Sequence, residues 1–370
     1  MFVIRQARVE DGTALLKLAK MVHFINLPAD PSIINQKILR SRRSFLGKMS
    51  DEREREFMFI LEDTETGNVV GTSGIVACIS WPGRPHTYFQ VRRREMYSKD
   101  LQTGQVHLTL QFGTDETGPT EMAGLILGPS YRGHKEKLGA ILSLIRFHYM
   151  GLHRAWFADR VIAEMMGALT PASSNLLWEY LGRRFINLDY AEADRFCQHS
   201  KEFMTSLMPR DEIYASLLPP EARSLIGRVG PETEPAKAML MRLGFRDIGH
   251  IDPFDGGPYL EAALDDISLV QQTRTAVLNG ATGRYPNTGL VSFDGEAGFL
   301  AVRTPYADDD EGGIRVPKRA LAAIGANVGD RVGLTPLSVA TTTKRAPAAK
   351  RPRRKAPAKG SGRRASGATS

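Results

Sequence analysis

Apolar positions change period several times along the chain, and each change marks an element. Phe2 to Gln6 reads as a short strand, and Ala14, Leu15, Leu18, Ala19 and Val22 then fall on one helical face, with Asp11 as the candidate N-cap. After an arginine-rich helical stretch around 35–55, Phe57-Met58-Phe59-Ile60-Leu61 and Val69-Val70-Gly71 flank the turn from Asp63 to Asn68, which predicts a β-hairpin reaching through Ile75 to Ile79. Residues 86–113 read as further antiparallel strands. The apolar strand Glu121 to Leu127 follows, then a basic turn, an amphipathic helix over about 137–155 and a buried strand, Val161 to Met165. The segment Ser174 to Leu181 is expected to be a helix capped by Gly182, with Phe185 opening the next strand. Pro235 to Phe245 ends the same way, at Leu243-Gly244-Phe245. Two such endings suggest a partial internal duplication, although a generic helix-to-strand junction explains the second equally well.

From about 270 the pattern shifts to short β-prone runs, Gly289–Phe293, Phe299–Val302 and Arg331–Leu334, separated by glycine and acidic turns such as Asp308 to Gly313. A small β-barrel is expected there. The fold class is therefore α/β of the α+β kind: a mixed, mostly antiparallel sheet flanked by helices, with a partial second unit of similar build, a C-terminal barrel and a tail. The expected domains are 1–190, 191–268, 269–340 and 341–370. Past Pro336 the chain is Ala, Pro, Lys, Arg, Ser and Gly, too poor in large apolar side chains to offset its ordering entropy, so the tail is expected to be disordered.

Charge sharpens this division. The 370-residue chain has a net charge of +8, but residues 341–370 hold ten of the 49 basic residues and no acid, which leaves 39 against 41 acidic residues, about −2, for the body. The paired basic residues of the tail, such as Lys344-Arg345 and Arg353-Arg354-Lys355, suit non-specific phosphate contact, and equally a solubilising appendage. Two cysteines, Cys78 and Cys197, give no disulfide framework. A reducing cytoplasm is expected, and no signal-peptide pattern or membrane span is legible.

The candidate chemistry centres on 121–139. A strand that ends in Gly128-Pro129-Ser130 and passes through Tyr131-Arg132-Gly133 into a helix start bearing Lys135, Lys137 and Gly139 offers free N–H groups, a partial positive charge and three cations. A pyrophosphate fits such a start, and the strand edge suits an extended amide-bearing ligand; coenzyme A has both. An ordinary strand-to-helix connection with a solvated turn has the same residues.

The order of elements resembles the GCN5-related N-acetyltransferase fold. More closely, residues 1 to about 265 resemble the arginine N-succinyltransferase family in Phe59-Ile60-Leu61-Glu62-Asp63, Val161-Ile162-Ala163-Glu164-Met165, Leu181-Gly182-Arg183-Arg184-Phe185, Leu207-Met208-Pro209-Arg210, Ile226-Gly227-Arg228-Val229 and Phe254-Asp255-Gly256-Gly257-Pro258. The resemblance implies acyl transfer from succinyl-CoA to the α-amine of arginine, in arginine catabolism, with Leu125 contacting the acyl-CoA, Leu127 beside it, and Arg132, Lys137 and Gly139 at its phosphates. Ornithine is the alternative amine, a catalytically altered nucleic-acid-binding protein is the alternative class, and a homo-oligomer is compatible with either. Two departures stand out. Gly230-Pro231 replaces the family's His-Pro, whose histidine is the proton donor, and Lys137 falls where the phosphate turn has glycine.

Aminolysis of a thioester needs a neutral amine, hence a base, and a proton for the departing thiolate. His250 is the favoured substitute for the absent histidine, against a packing role. Glu164, a carboxylate within an apolar strand, is the candidate base, against a structural hydrogen-bonding role. Asp255 is a candidate partner for the substrate guanidinium, against a simple Asp-Gly turn. No metal motif is legible.

Overall fold

The computed structural model describes residues 1–21, 27–170, 174–197, 200–309 and 312–337. Val22, Asp310, Glu311 and the tail from 341 onward lie outside the described residues. Among the described residues fifteen strands form in chain order: β1 Phe2–Gln6, β2 Glu56–Asp63, β3 Asn68–Val76, β4 His86–Ser98, β5 Thr103–Asp115, β6 Thr120–Leu127, β7 Arg160–Glu164, β8 Ile213–Tyr214, β9 Arg246–Ile251, β10 Pro258–Ala263, β11 Arg274–Gly280, β12 Asn287–Gly295, β13 Gly298–Asp308, β14 Ile314–Arg315 and β15 Arg331–Pro336. The principal helices of the first half are α1 Gly12–Met21, α2 Pro31–Phe45 and α3 Leu138–Leu152.

The strand β2 shows why the sheet sits between helices. Its Phe57, Phe59 and Leu61 pack with α3 in one core, while Met58 and Ile60 pack with α1 and α2 in another. A strand buried on both faces reads as a continuous apolar run, as this one does. The sheet then runs β1-β2-β3-β6-β7-β10-β9-β4-β5-β8. Every pairing along it is antiparallel except β6 with β7, which is parallel.

On its other side β1 pairs with β13, Ile4 opposite Ala301, and β13 belongs to a closed barrel ordered β12-β15-β11-β14-β13 and back to β12. The small barrel expected after residue 270 is thus present and hydrogen-bonded to the main sheet. Helix α3 is apolar nearly all round because the sheet covers one side and the barrel approaches the other. His148 within α3 is fully buried and hydrogen-bonds Thr335 Oγ1 and Ser292 Oγ of the barrel at 2.7 Å each.

The chain from 174 to 254 builds a separate core around Trp178, which stacks on Phe254 at 4.6 Å, with Leu110, Phe112 and Phe203 packed around them. Two local expectations are corrected there and at the N-terminus. Gly182 does not end a helix: a π-turn over Trp178–Gly182 runs into α4, Arg183–Ile186, and left-handed Asn187 (φ 57°) is the stop, so Phe185 is helical and no strand opens at it. The glycine is required instead by the Trp178 ring, which a Cβ at 182 would strike. Asp11 is not a helix N-cap. It is buried, accepts from Arg8 N–H at 2.7 Å and meets the Arg5 guanidinium at 2.7 and 2.8 Å, because a buried arginine on β1 needs a carboxylate more than a surface helix does. The second junction has the expected form: a helix over Glu234–Arg242 halts at Gly244 (φ 111°), and β9 starts just after Phe245.

Candidate active site

Strands β6 and β7 pair only at Thr120 with Val161 and Glu121 with Ile162. Beyond Glu121 the two part, so β6 from Met122 onward has no strand partner on that side among the described residues, while buried Arg146 donates to Ala123 O at 3.2 Å and Gly124 (φ 57°) kinks the strand within a register shift against β3. Leu125 and Leu127 lie on this stretch, half-buried against the α3 core. The chain then turns through Gly128 and a short 3₁₀ turn to Lys137, which caps α3 in the left-handed conformation (φ 53°, ψ 50°). No side chain caps the first turn of α3, so its leading N–H groups remain available. The turn is braced from both sides: Phe2 packs edge-on against Tyr131 and His134, and Arg303 of the barrel donates to Glu136 O at 3.1 Å.

The sequence-derived phosphate residues cluster on this turn. Arg132 is exposed and pairs with Glu232 at 2.8 Å, Lys137 is exposed, and Gly139 faces Leu127 with its Cα side open enough that a Cβ would meet only ordinary contact at 3.6 Å. Arg132 is therefore held by a partner that an anion would displace.

Glu164 ends β7, and parallel pairing puts it on the same face as Glu121. Both carboxylates line one cleft of about 510 Å³, with His86, Lys201 and Cys197, and a smaller pocket of about 80 Å³ continues from Glu164 towards Asp194 and Asp252. Burial, then Glu121, push the Glu164 carboxyl well above its usual range. Burial also raises Glu121, against the pull of Lys201 and Lys37. Loss of solvent works against the Lys201 ammonium, but Glu164, Cys197 and Glu121 outweigh it and hold its pKa above the ordinary lysine value. Burial lifts the Cys197 thiol to about 12, so it carries no thiolate at neutral pH. Asp194 is raised to about 6 by burial and then Asp252, and its Oδ1 has no hydrogen-bond partner among the described residues.

The other two proposed residues stand differently. His250 stacks on Tyr88 at 3.8 Å, its Nε2 lies 2.9 Å from Gln90 Oε1, and it lines neither cavity. Asp255 is buried with both oxygens engaged, accepting from Gly167 N–H at 2.8 Å and Gly257 N–H at 2.7 Å. Burial, then Asp252, raise it to about 8, while those two N–H bonds pull the other way. Sequence reasoning missed Glu121, His86 and Lys201. Glu121 looked like the polar first residue of a strand, and the other two sit in polar stretches with no periodic signal; only the tertiary fold, with β6 beside β7, β4 carried to them across β10 and β9, and Lys201 leading a helix against the cleft, brings them together.

A sheet that splays between two parallel strands, with a helix start after the split strand and a carboxylate-lined cleft beside it, is the architecture of an N-acyltransferase. A family model described as arginine N-succinyltransferase beta subunit matches residues 2–269. The arginine N-succinyltransferase of Shigella boydii is 35% identical over 93% of this chain and 100% of its own, and that of Citrobacter koseri 34% over 91% and 98%. Among solved structures, arginine/ornithine succinyltransferase subunit AI from Pseudomonas aeruginosa superposes with a TM-score of 0.78 at 28% identity, covering 91% of this chain and 98% of that one. The chain belongs to the arginine N-succinyltransferase family.

Proposed function

We propose that this protein transfers the succinyl group of succinyl-CoA to the α-amine of L-arginine, as a cytoplasmic step of arginine catabolism. The observation that carries this reading is the free β6 edge, which lies between the basic start of α3 and the cleft holding Glu121 and Glu164. An extended pantetheine arm pairs its amides with the edge at Leu125 and Leu127, and its pyrophosphate meets Arg132, Lys137 and the N–H groups near Gly139. The thioester then lies where the strands part.

The acidic cleft suits a substrate that carries a guanidinium and an amine. Glu164 takes a proton from the α-ammonium, and the neutral amine attacks the thioester carbonyl. The Cys197 thiol, raised by burial to about 12, is a poor nucleophile at neutral pH, so the amine attacks the thioester directly. Holding amine and thioester together supplies roughly 7–11 kcal/mol of the barrier reduction. Asp255 supports the turn beneath the smaller pocket, and Asp194, with its free oxygen, is the better-placed carboxylate for the guanidinium.

Free-thiol release from succinyl-CoA, measured with arginine and with ornithine, and again with acetyl-CoA, tests the reading. Turnover is expected with succinyl-CoA and arginine. No release with any acyl donor refutes it.

A further inference from the structure

In this chain Gly230, where the family carries its proton-donor histidine, has no titratable group. Its N–H donates to Met166 O at 3.0 Å, which sets it just past the end of β7, two residues beyond Glu164 in the same chain direction. Beside Glu164 stands His86, the first residue of β4. It is 5% exposed, and its ring lies against Tyr259 at 5.2 Å. Its Nε2 finds no hydrogen-bond partner among the described residues, and Glu164 Oε1 lies 3.5 Å from it, too long for a formed hydrogen bond.

An unpaired ring nitrogen at this depth is destabilising, and buried polar atoms left this way mark places where a ligand or a proton completes the set. Both side chains line the same cleft. The pairs Tyr259 with Glu164 and Leu260 with Ala163 hold β10 beside β7, so the ring that supports His86 is fixed to the strand that carries the carboxylate. Apo separations at proton-transfer sites shorten when substrate closes on them.

We propose that His86 and Glu164 form the proton-transfer pair of this site, with His86 supplying from β4 the acid–base function that Gly230 cannot. This rests on the acyl-transfer reading above. The C–N bond forms as the amine attacks the thioester carbon, and the C–S bond breaks with its electron pair going to sulfur. Two protons leave the α-ammonium nitrogen, the first through Glu164 to solvent and the second to the pair, and the pair returns one to the thiolate, so it ends each turnover as it began. Lys201, Glu121, Asp252 and Asp255 act on Glu164, and Lys201, Asp115 and His250 act on His86. Burial keeps the imidazole neutral and raises the Glu164 carboxyl well above its usual range.

The test compares the full-length protein with His86→Gln and His86→Gly, using thiol release across pH 5.5–9.5 and calorimetric binding of succinyl-CoA. General acid–base groups contribute roughly 10²–10⁴-fold, so His86→Gln is expected to lose at least about 100-fold in kcat, to lose one limb of the pH profile and to keep its KM values within about twofold. Exogenous imidazole is expected to restore part of the kcat of His86→Gly, a gain that a packing role does not give. If His86→Gln keeps the wild-type kcat and pH profile, or loses kcat with the profile shape intact and no imidazole rescue of His86→Gly, the pair is overturned and the acyl-transfer reading stands. If the wild type itself releases no thiol, that reading falls and the pair falls with it.

Discussion

Single side chains in this protein carry opposite pH signs. His148 is neutral in the fold, pushed by burial to about 3 from an ordinary 6.5. The unfolded chain therefore takes a proton near pH 6.5 that the folded chain refuses, so the stability from neutral His148 is complete above pH 6.5 and drains away as pH falls towards 3. Replacing it with Ala is expected to cost about 1–3 kcal/mol at pH 7.5, through Ser292 left without its His148 partner and Thr335 left with Thr273 alone, and to flatten the fall of melting temperature between pH 7 and 5. Glu164 has the reverse sign. Its raised pKa makes its contribution full below the ordinary glutamate range and lost as pH climbs through the folded value. Glu164→Gln is thus expected to lose at least about 100-fold in kcat while melting higher than wild type at pH 8–9; a lower melting point there would contradict this sign. Glu164 was legible in the sequence because a charge interrupts an apolar strand. Its neighbours Glu121 and His86 were not, since nothing local marks a polar residue at a strand start.

Segments behave as units when a single residue strains them. Lys137 holds the left-handed cap of α3 at φ 53°, a conformation that disfavours a residue with a Cβ by about 1–2 kcal/mol. Lys137→Gly is expected to stabilise the fold by about 1 kcal/mol and, by removing a cation, to raise KM for succinyl-CoA severalfold with kcat unchanged; both are read from melting curves and initial rates. An unchanged KM would remove this turn from phosphate binding. Gly182 shows how an apparent stop signal misleads. Leu-Gly before an aromatic is a common helix end, yet here the glycine serves the Trp178 ring and the helix continues to Asn187. Gly182→Ala is expected to cost about 1–3 kcal/mol in denaturant titration by displacing that ring from its stack on Phe254.

Across the whole molecule, the barrel is part of the core that supports the site. Phe299, Ala301 and Leu290 pack with the α3 side of the main sheet, β13 covers the outer edge of β1, and Arg303 steadies the basic turn. A chain ending at residue 268 is expected to lose cooperative melting and coenzyme affinity together. Without residues 341–370 the chain falls from +8 to about −2, and it is expected to lose retention on a polyanion column while keeping its full rate of thiol release. The sequence by itself determined most of the order of elements, the hairpin of β2 and β3, the barrel and the charge of the tail, because period, turn residues and composition are local properties of the chain. Only tertiary structure decided which carboxylates share a cleft, which glycines answer to a ring rather than a cap, and which histidine faces the chemistry. Those depend on strand pairings between residues 40 to 100 positions or more apart, such as Glu121 with Ile162 and Tyr259 with Glu164, and no local pattern encodes the register of a distant strand.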